Sequence, residues 1–149
     1  MIIVGYQGIG KSTLANNNSR YIDLESSNFF VDGERSGNWY KVYCNIAVHL
    51  SEQGYNVFMS SHKIVRDELK NHCVDKMIVC PSLELKDKWI SRLTDRYENV
   101  PCQKDKNYKA LMNAKSMYTE NIKDLICEDR FAIRVIDNMD YDLEKVIRG

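Results

Sequence analysis

Met1-Ile2-Ile3-Val4-Gly5-Tyr6-Gln7-Gly8-Ile9-Gly10-Lys11-Ser12 is the stretch whose reading decides the fold. An apolar run, Ile2 to Val4, enters a segment that fits G-x-x-x-x-G-K-[ST] at every fixed position, and Ser12-Thr13-Leu14-Ala15 can start a helix behind it. A strand, a glycine-rich loop and a helix in that order form a phosphate cradle. Gly5, Gly8 and Gly10 let the backbone take positive φ and turn its N–H groups around an anion. Lys11 then brings a positive charge to the β- and γ-phosphates, and the Ser12 hydroxyl is suited to Mg²⁺.

Working outward, strand-like and helix-like segments alternate, which predicts an α/β protein with a parallel sheet and helices on its faces. Strands are expected at Ile2 to Val4, Tyr21 to Leu24, Tyr55 to Met59, Lys76 to Cys80 and Phe131 to Ile136. In the segment from Trp39 to Gln53, apolar residues recur at spacings of three and four, the mark of an amphipathic helix. Further helices are expected at Lys63 to Asn71, Leu83 to Tyr97, Leu111 to Ile126 and Asp142 to Ile147, with Glu98 to Lys106 as a polar loop. The 149 residues fit one domain, residues 1–149, and no repeat or linker divides them.

Lys+Arg and Asp+Glu both number 21, so no global basic excess attracts nucleic acid, which is the less favoured partner. Five cysteines without a C-x-x-C pair or a His partner at ligand spacing read as reduced thiols. No apolar run reaches bilayer length, so no membrane partner and a cytoplasmic location are expected.

Chemistry beyond the loop is sought where strands end, because an open α/β sheet presents its ligands there. The second strand ends in Asp23-Leu24-Glu25, which places two carboxylates on one side, one for a metal ion and one for an acceptor hydroxyl. An acidic turn is the plainer alternative, since Ser26, Ser27 and Asn28 follow. The third strand ends in Ser60-Ser61-His62, with Arg66 on the next helix as a planar fork for a phosphate or carboxylate, or else as a solvated residue. Arg92 and Arg96, four apart, can close over nucleotide phosphates or pair with the nearby acids. Trp39, Tyr40 and Tyr43 are core or rim residues on spacing, with base stacking as the alternative.

These residues resemble the small P-loop kinases of the nucleoside monophosphate kinase fold, in particular the shikimate and gluconate kinase branch. The likeness is carried by the loop, by Asp23-Leu24-Glu25, by Ser60 to Asp67, by Ser91-Arg92-Leu93 before a lid, and by Val135 to Asp140. The chain also resembles small nucleotide kinases of bacterial viruses. It lacks the Gly-Gly-Gly loop of shikimate kinases after the third strand, and its lid is short and without a run of arginines.

The resemblance implies a three-layer P-loop NTPase fold with a five-stranded parallel sheet, and an ATP- and Mg²⁺-dependent phosphotransferase. Its donor site would comprise Gly8, Ile9, Gly10, Lys11, Ser12, Thr13, Arg92 and Asp140, with Ser12 and Asp23 at the metal. Lys11, Glu25 and Arg92 would be catalytic, and Asp23, Glu25, Trp39, Ser61 and Arg66 would face a small-molecule acceptor. A nucleoside or nucleoside monophosphate is the favoured acceptor. The rivals are a polyhydroxy acid, a polynucleotide or modified base, and an ATP-binding or ATP-hydrolysing module with no acceptor. A GTPase is disfavoured by the absence of an N-K-x-D stretch.

Overall fold

Ile2, Ile3 and Val4 have no solvent exposure, and neither have Val57, Phe58, Met59, Ile78 and Val79. Strands apolar on both faces belong in the middle of a parallel sheet covered on both sides, and these three segments are its centre. The computed structural model describes residues 1–31 and 34–149. Its main sheet comprises β1 (Ile2–Gly5), β2 (Tyr21–Asp23), β5 (Asn56–Met59), β6 (Lys76–Pro81) and β7 (Ala132–Ile136). The order is β2-β5-β1-β6-β7, and every pair is parallel. β3 (Phe30–Val31) and β4 (Glu34–Arg35) form a separate antiparallel pair in a region without an expected strand.

Helices flank the sheet: α1 (Lys11–Asn17), α2 (Trp39–Glu52), α3 (Lys63–Leu69), α4 (Lys86–Asn99), α5 (Lys104–Ile126) and α6 (Leu143–Arg148). Right-handed crossovers, the rule between parallel strands, set α1 on one face and α2 to α5 on the other. α6 returns to the α1 side, where Asn18 donates to Glu144 at 3.1 Å. In α2 the buried residues Trp39, Tyr43 and Ala47 recur every four positions, so the helix lays one stripe on the sheet. Among the described residues no helix is long and apolar enough to cross a membrane, and all five cysteines are free.

α5 begins at Lys104, seven residues before the expected Leu111, and together with the end of α4 it makes about half of the expected polar loop helical. Its buried stripe runs Asn107, Leu111, Ala114, Tyr118, Ile122 and Leu125. The stripe therefore starts on a polar residue, which a search for apolar periodicity passes over. This early start brings the first turn of α5 to the carboxyl ends of the strands.

Candidate functional site

The carboxyl ends of β1, β2 and β5 open into a cleft of about 1210 Å³. Eight of its lining residues are Lys or Arg and four are Asp or Glu, a local basic excess that the balanced composition conceals. A smaller cavity of about 530 Å³ shares Gly8, Gly10, Thr13 and Arg92 with it and extends to Asn17, Tyr141 and Asp142.

The glycine loop forms one bank. Gly8 and Gly10 have φ of 87° and 103°, values that favour glycine. A Cβ on Gly5 would lie 2.5 Å from Ile9 Cδ1 and 2.9 Å from Lys11 Cδ, so any side chain there would displace those of Ile9 and Lys11. Three consecutive carbonyls are tied down from outside. Trp89 Nε1 donates to Gln7 O at 2.9 Å, Arg92 Nη1 to Gly8 O at 3.3 Å, and the Tyr141 hydroxyl to Ile9 O at 2.7 Å. Because C=O and N–H of one peptide point opposite ways, the N–H groups of Gly8, Ile9 and Gly10 are turned the other way. None of the N–H groups from Gly8 to Thr13 has an acceptor among the described residues.

Lys11 lies beside these groups and donates to Gly5 O at 3.1 Å, which occupies one of its three N–H bonds. Burial lowers its pKa, while the charges of Asp23 and Glu25 pull it back up. Ser12 and Thr13 are exposed at the start of α1 and line the cleft.

Asp23 and Glu25 stand opposite. The Tyr43 hydroxyl donates to Leu24 O at 2.6 Å and accepts from Ser60 N at 2.9 Å, which fixes the ends of β2 and β5 side by side. Glu25 Oε2 takes an ion pair from Lys106 Nζ at 2.7 Å, so α5 reaches across to β2. Burial pushes Asp23 up, and the pull of Lys11 does not cancel it. Burial also pushes Glu25 up, but the hydrogen bond and charge of Lys106, helped by Lys11, bring it below its ordinary value. Glu25 is thus the carboxylate that stays ionised most readily.

The basic residues separate into committed and open ones. Arg66 lines the cleft but is buried, and each of its three nitrogens is engaged: Nε on Ser61 O at 3.1 Å, Nη1 on Glu128 at 2.6 Å and Nη2 on Asp124 at 2.8 Å. It is neither a solvated residue nor an open anion fork. Arg92 is likewise engaged, with Nη1 2.7 Å from the Tyr141 hydroxyl and its guanidinium 4.7 Å and 5.3 Å from the Trp89 and Tyr141 ring centres. Arg96 is half-buried in the cleft wall, close enough to Lys11 to influence it, and has no hydrogen bond or ion pair with any described residue.

Ser61 lines the cleft with Ser60 and His62, where Ser60 Oγ and His62 Nδ1 are 2.8 Å apart. Burial, then the charges of Arg35, Lys11 and Arg66, lower the pKa of His62. Ile9 is buried and lines the smaller cavity. Trp39 and Asp140 line neither cavity. Trp39 is packed under the Arg35 guanidinium at 4.2 Å and against Tyr43, which covers the ring that stacking would need. Asp140 is exposed, its N–H donating to Asn138 Oδ1 at 3.0 Å; Tyr141 and Asp142 reach the cavity in its place.

Sequence reasoning missed Gln7, Trp89, Lys106 and Tyr141. Gln7 Nε2 donates to Ala110 O at 2.9 Å and to Asn113 Oδ1 at 3.2 Å, which fastens the loop to α5. No protein-family model matches this chain, and no curated protein matches it either.

Proposed function

We propose that the chain is an ATP- and Mg²⁺-dependent phosphotransferase of the P-loop kinase type, acting on a nucleoside or nucleoside monophosphate. The observation that carries this reading is the run of open N–H groups from Gly8 to Thr13 around a lysine with spare donors. Six N–H groups without an acceptor among the described residues, beside an ammonium, match the oxygens of a polyphosphate.

Cleft size favours an acceptor over simple hydrolysis. Pockets for one small ligand occupy about 300–1,000 Å³, and this cleft of about 1210 Å³ has a second cavity beside it. The nucleoside part of the donor fits the smaller cavity, between Thr13, Asn17, Tyr141 and Asp142. Bound Mg²⁺ supplies charge neutralisation between the phosphates, and Ser12 and Asp23 are the residues suited to hold it. Among the described residues no three His, Cys, Asp or Glu side chains form a cage for a metal. Such a site suits an ion that keeps waters and phosphate oxygens as most of its ligands.

The remaining roles follow from which donors are open. Lys11 and Arg96 face the cleft with uncommitted N–H groups and neutralise charge on the transferring group. Arg92 braces the loop and Tyr141. Glu25, ionised and beside the cleft, accepts a hydrogen bond from the attacking hydroxyl and orients it. Positioning and electrostatics provide most of what phosphoryl transfer requires.

The test is ATP consumption with Mg²⁺ against nucleosides, nucleoside monophosphates, sugar acids and short oligonucleotides, with an acceptor-free control. Consumption is expected only with nucleosides or their monophosphates, and Lys11→Ala should lower it about 10³-fold in a folded protein. Equal consumption without acceptor would make the chain an ATPase.

A further inference from the structure

The first turn of α5 faces the glycine loop across the cleft and carries an unexplained polar group. Asn107 is 3% exposed, lines the cleft, and its Nδ2 has no hydrogen-bond partner. A buried amide without a partner is uncommon and calls for a reason. Around it the N–H groups of Lys104, Asp105 and Lys106 also have no acceptor among the described residues, and no side chain caps this end of the helix. Lys109 lines the cleft without an ion pair, and Lys106 spends one donor on Glu25. Lys104 is committed to the Tyr97 and Glu98 carbonyls. Asp105 is the acid of this turn and is exposed.

We infer that this turn is a second anion site, built by Lys106, Asn107, Lys109 and the open N–H groups of α5, and that it holds a phosphate carried by the acceptor. The inference rests on the kinase reading and deepens it: the acceptor is a phosphorylated compound, not a neutral nucleoside or a sugar acid. A helix N-terminus with two lysines and an amide suits a tetrahedral dianion with several acceptor oxygens. Arg66, the residue that the sequence offers for this task, is buried with each of its nitrogens already held by Ser61 O, Glu128 or Asp124. Lys106 has three donors, so it can bridge the acceptor phosphate and Glu25. That bridge would set the acceptor beside the carboxylate that orients its hydroxyl. Gln7 links the same helix to the glycine loop, so the two anion sites are held at a fixed separation.

The experiment is a titration of the full chain with inorganic phosphate, followed by backbone amide shifts. Two saturable events are expected, one at Gly8 to Lys11 and one at Lys106 to Ala110. Replacing both exposed lysines, Lys106→Met with Lys109→Met, should weaken the second event about tenfold or more and leave the first unchanged. Lys11→Ala should do the reverse. Absence of the α5 event, or its survival in the double variant, overturns the inference even where the loop binds phosphate. Loss of the loop event alone would sink the kinase reading while the α5 site stands. A short single-stranded DNA that displaces the second phosphate far more tightly than a nucleoside monophosphate would overturn the small acceptor in favour of a polynucleotide backbone.

Discussion

The two banks of the cleft are built on opposite plans. On the loop bank, six consecutive residues from Gly8 to Thr13 leave their backbone N–H groups open while distant side chains hold the carbonyls of Gln7, Gly8 and Ile9 from behind. On the far bank, the charges come from β2, α3 and α5, and most are already paired, Arg66 with Asp124 and Glu128, and Lys106 with Glu25. A bank with open donors is organised for its ligand before it arrives. A bank of ion pairs is organised for folding, and outside the first turn of α5 a ligand must compete with carboxylates to use it.

That contrast breaks most visibly at Arg66. If its guanidinium is structural, Arg66→Ala leaves the carboxylate of Glu128, 9% exposed, with only Lys70 at 2.6 Å. Removing one partner of a buried pair costs about 3–5 kcal/mol, and Lys70 places this case at the lower end. Urea unfolding should register the loss, whereas the Michaelis constant of folded protein for the acceptor should hardly change. A stability change within the scatter of surface substitutions, with a weakened acceptor, would return Arg66 to the ligand.

A smaller effect separates the two arginines of α4. Arg96→Ala should lower turnover at saturating ATP about 100-fold, or about 2.7 kcal/mol, with stability unchanged, because its guanidinium has no partner to lose. Arg92→Ala should act the other way, freeing Gly8 O and the Tyr141 hydroxyl, raising the Michaelis constant for ATP and lowering stability. Steady-state kinetics and thermal melting of both variants decide it. The opposite pattern would make Arg92 the charge-neutralising residue and Arg96 a bystander.

How much could be read from sequence follows the same division. The loop is contiguous, so its glycines, lysine and serine can be read together, and the five parallel strands show as apolar runs. What lies across a cleft is not contiguous. Arg66 and Glu128 are 62 residues apart, and Gln7 and Ala110 are 103 apart. Sequence reveals that Arg66 is a cation but not that carboxylates on α5 and beyond it hold both of its terminal nitrogens. The start of α5 escapes for a different reason, since its buried stripe opens on Asn107 and polar residues do not register in an apolar pattern. Trp89 and Tyr141 look like ordinary core aromatics until their polar atoms are seen to hold loop carbonyls, a use to which spacing is blind.

The finest distinction between the banks is electrostatic and concerns Lys106 and Glu25. Both side chains are partly exposed, at 42% and 29%, so their pair at 2.7 Å adds little to stability and acts mainly on the proton affinity of Glu25. Burial raises that affinity, and Lys106 first, then Lys11 and a hydrogen bond from Asp23, more than offset it. In Lys106→Met the burial remains and the cation is gone, so the pKa of Glu25 must rise. In the proposed reading the reactive form is the carboxylate, so activity should fall as pH drops through that pKa. The acid limb of the pH–rate profile should therefore move to higher pH, with little change above neutrality at saturating acceptor. Lys106→Arg, which keeps the charge, should leave the limb in place. If the limb ignores both substitutions, the ion pair only fastens α5 to β2, and the far bank has no electrostatic part in the chemistry.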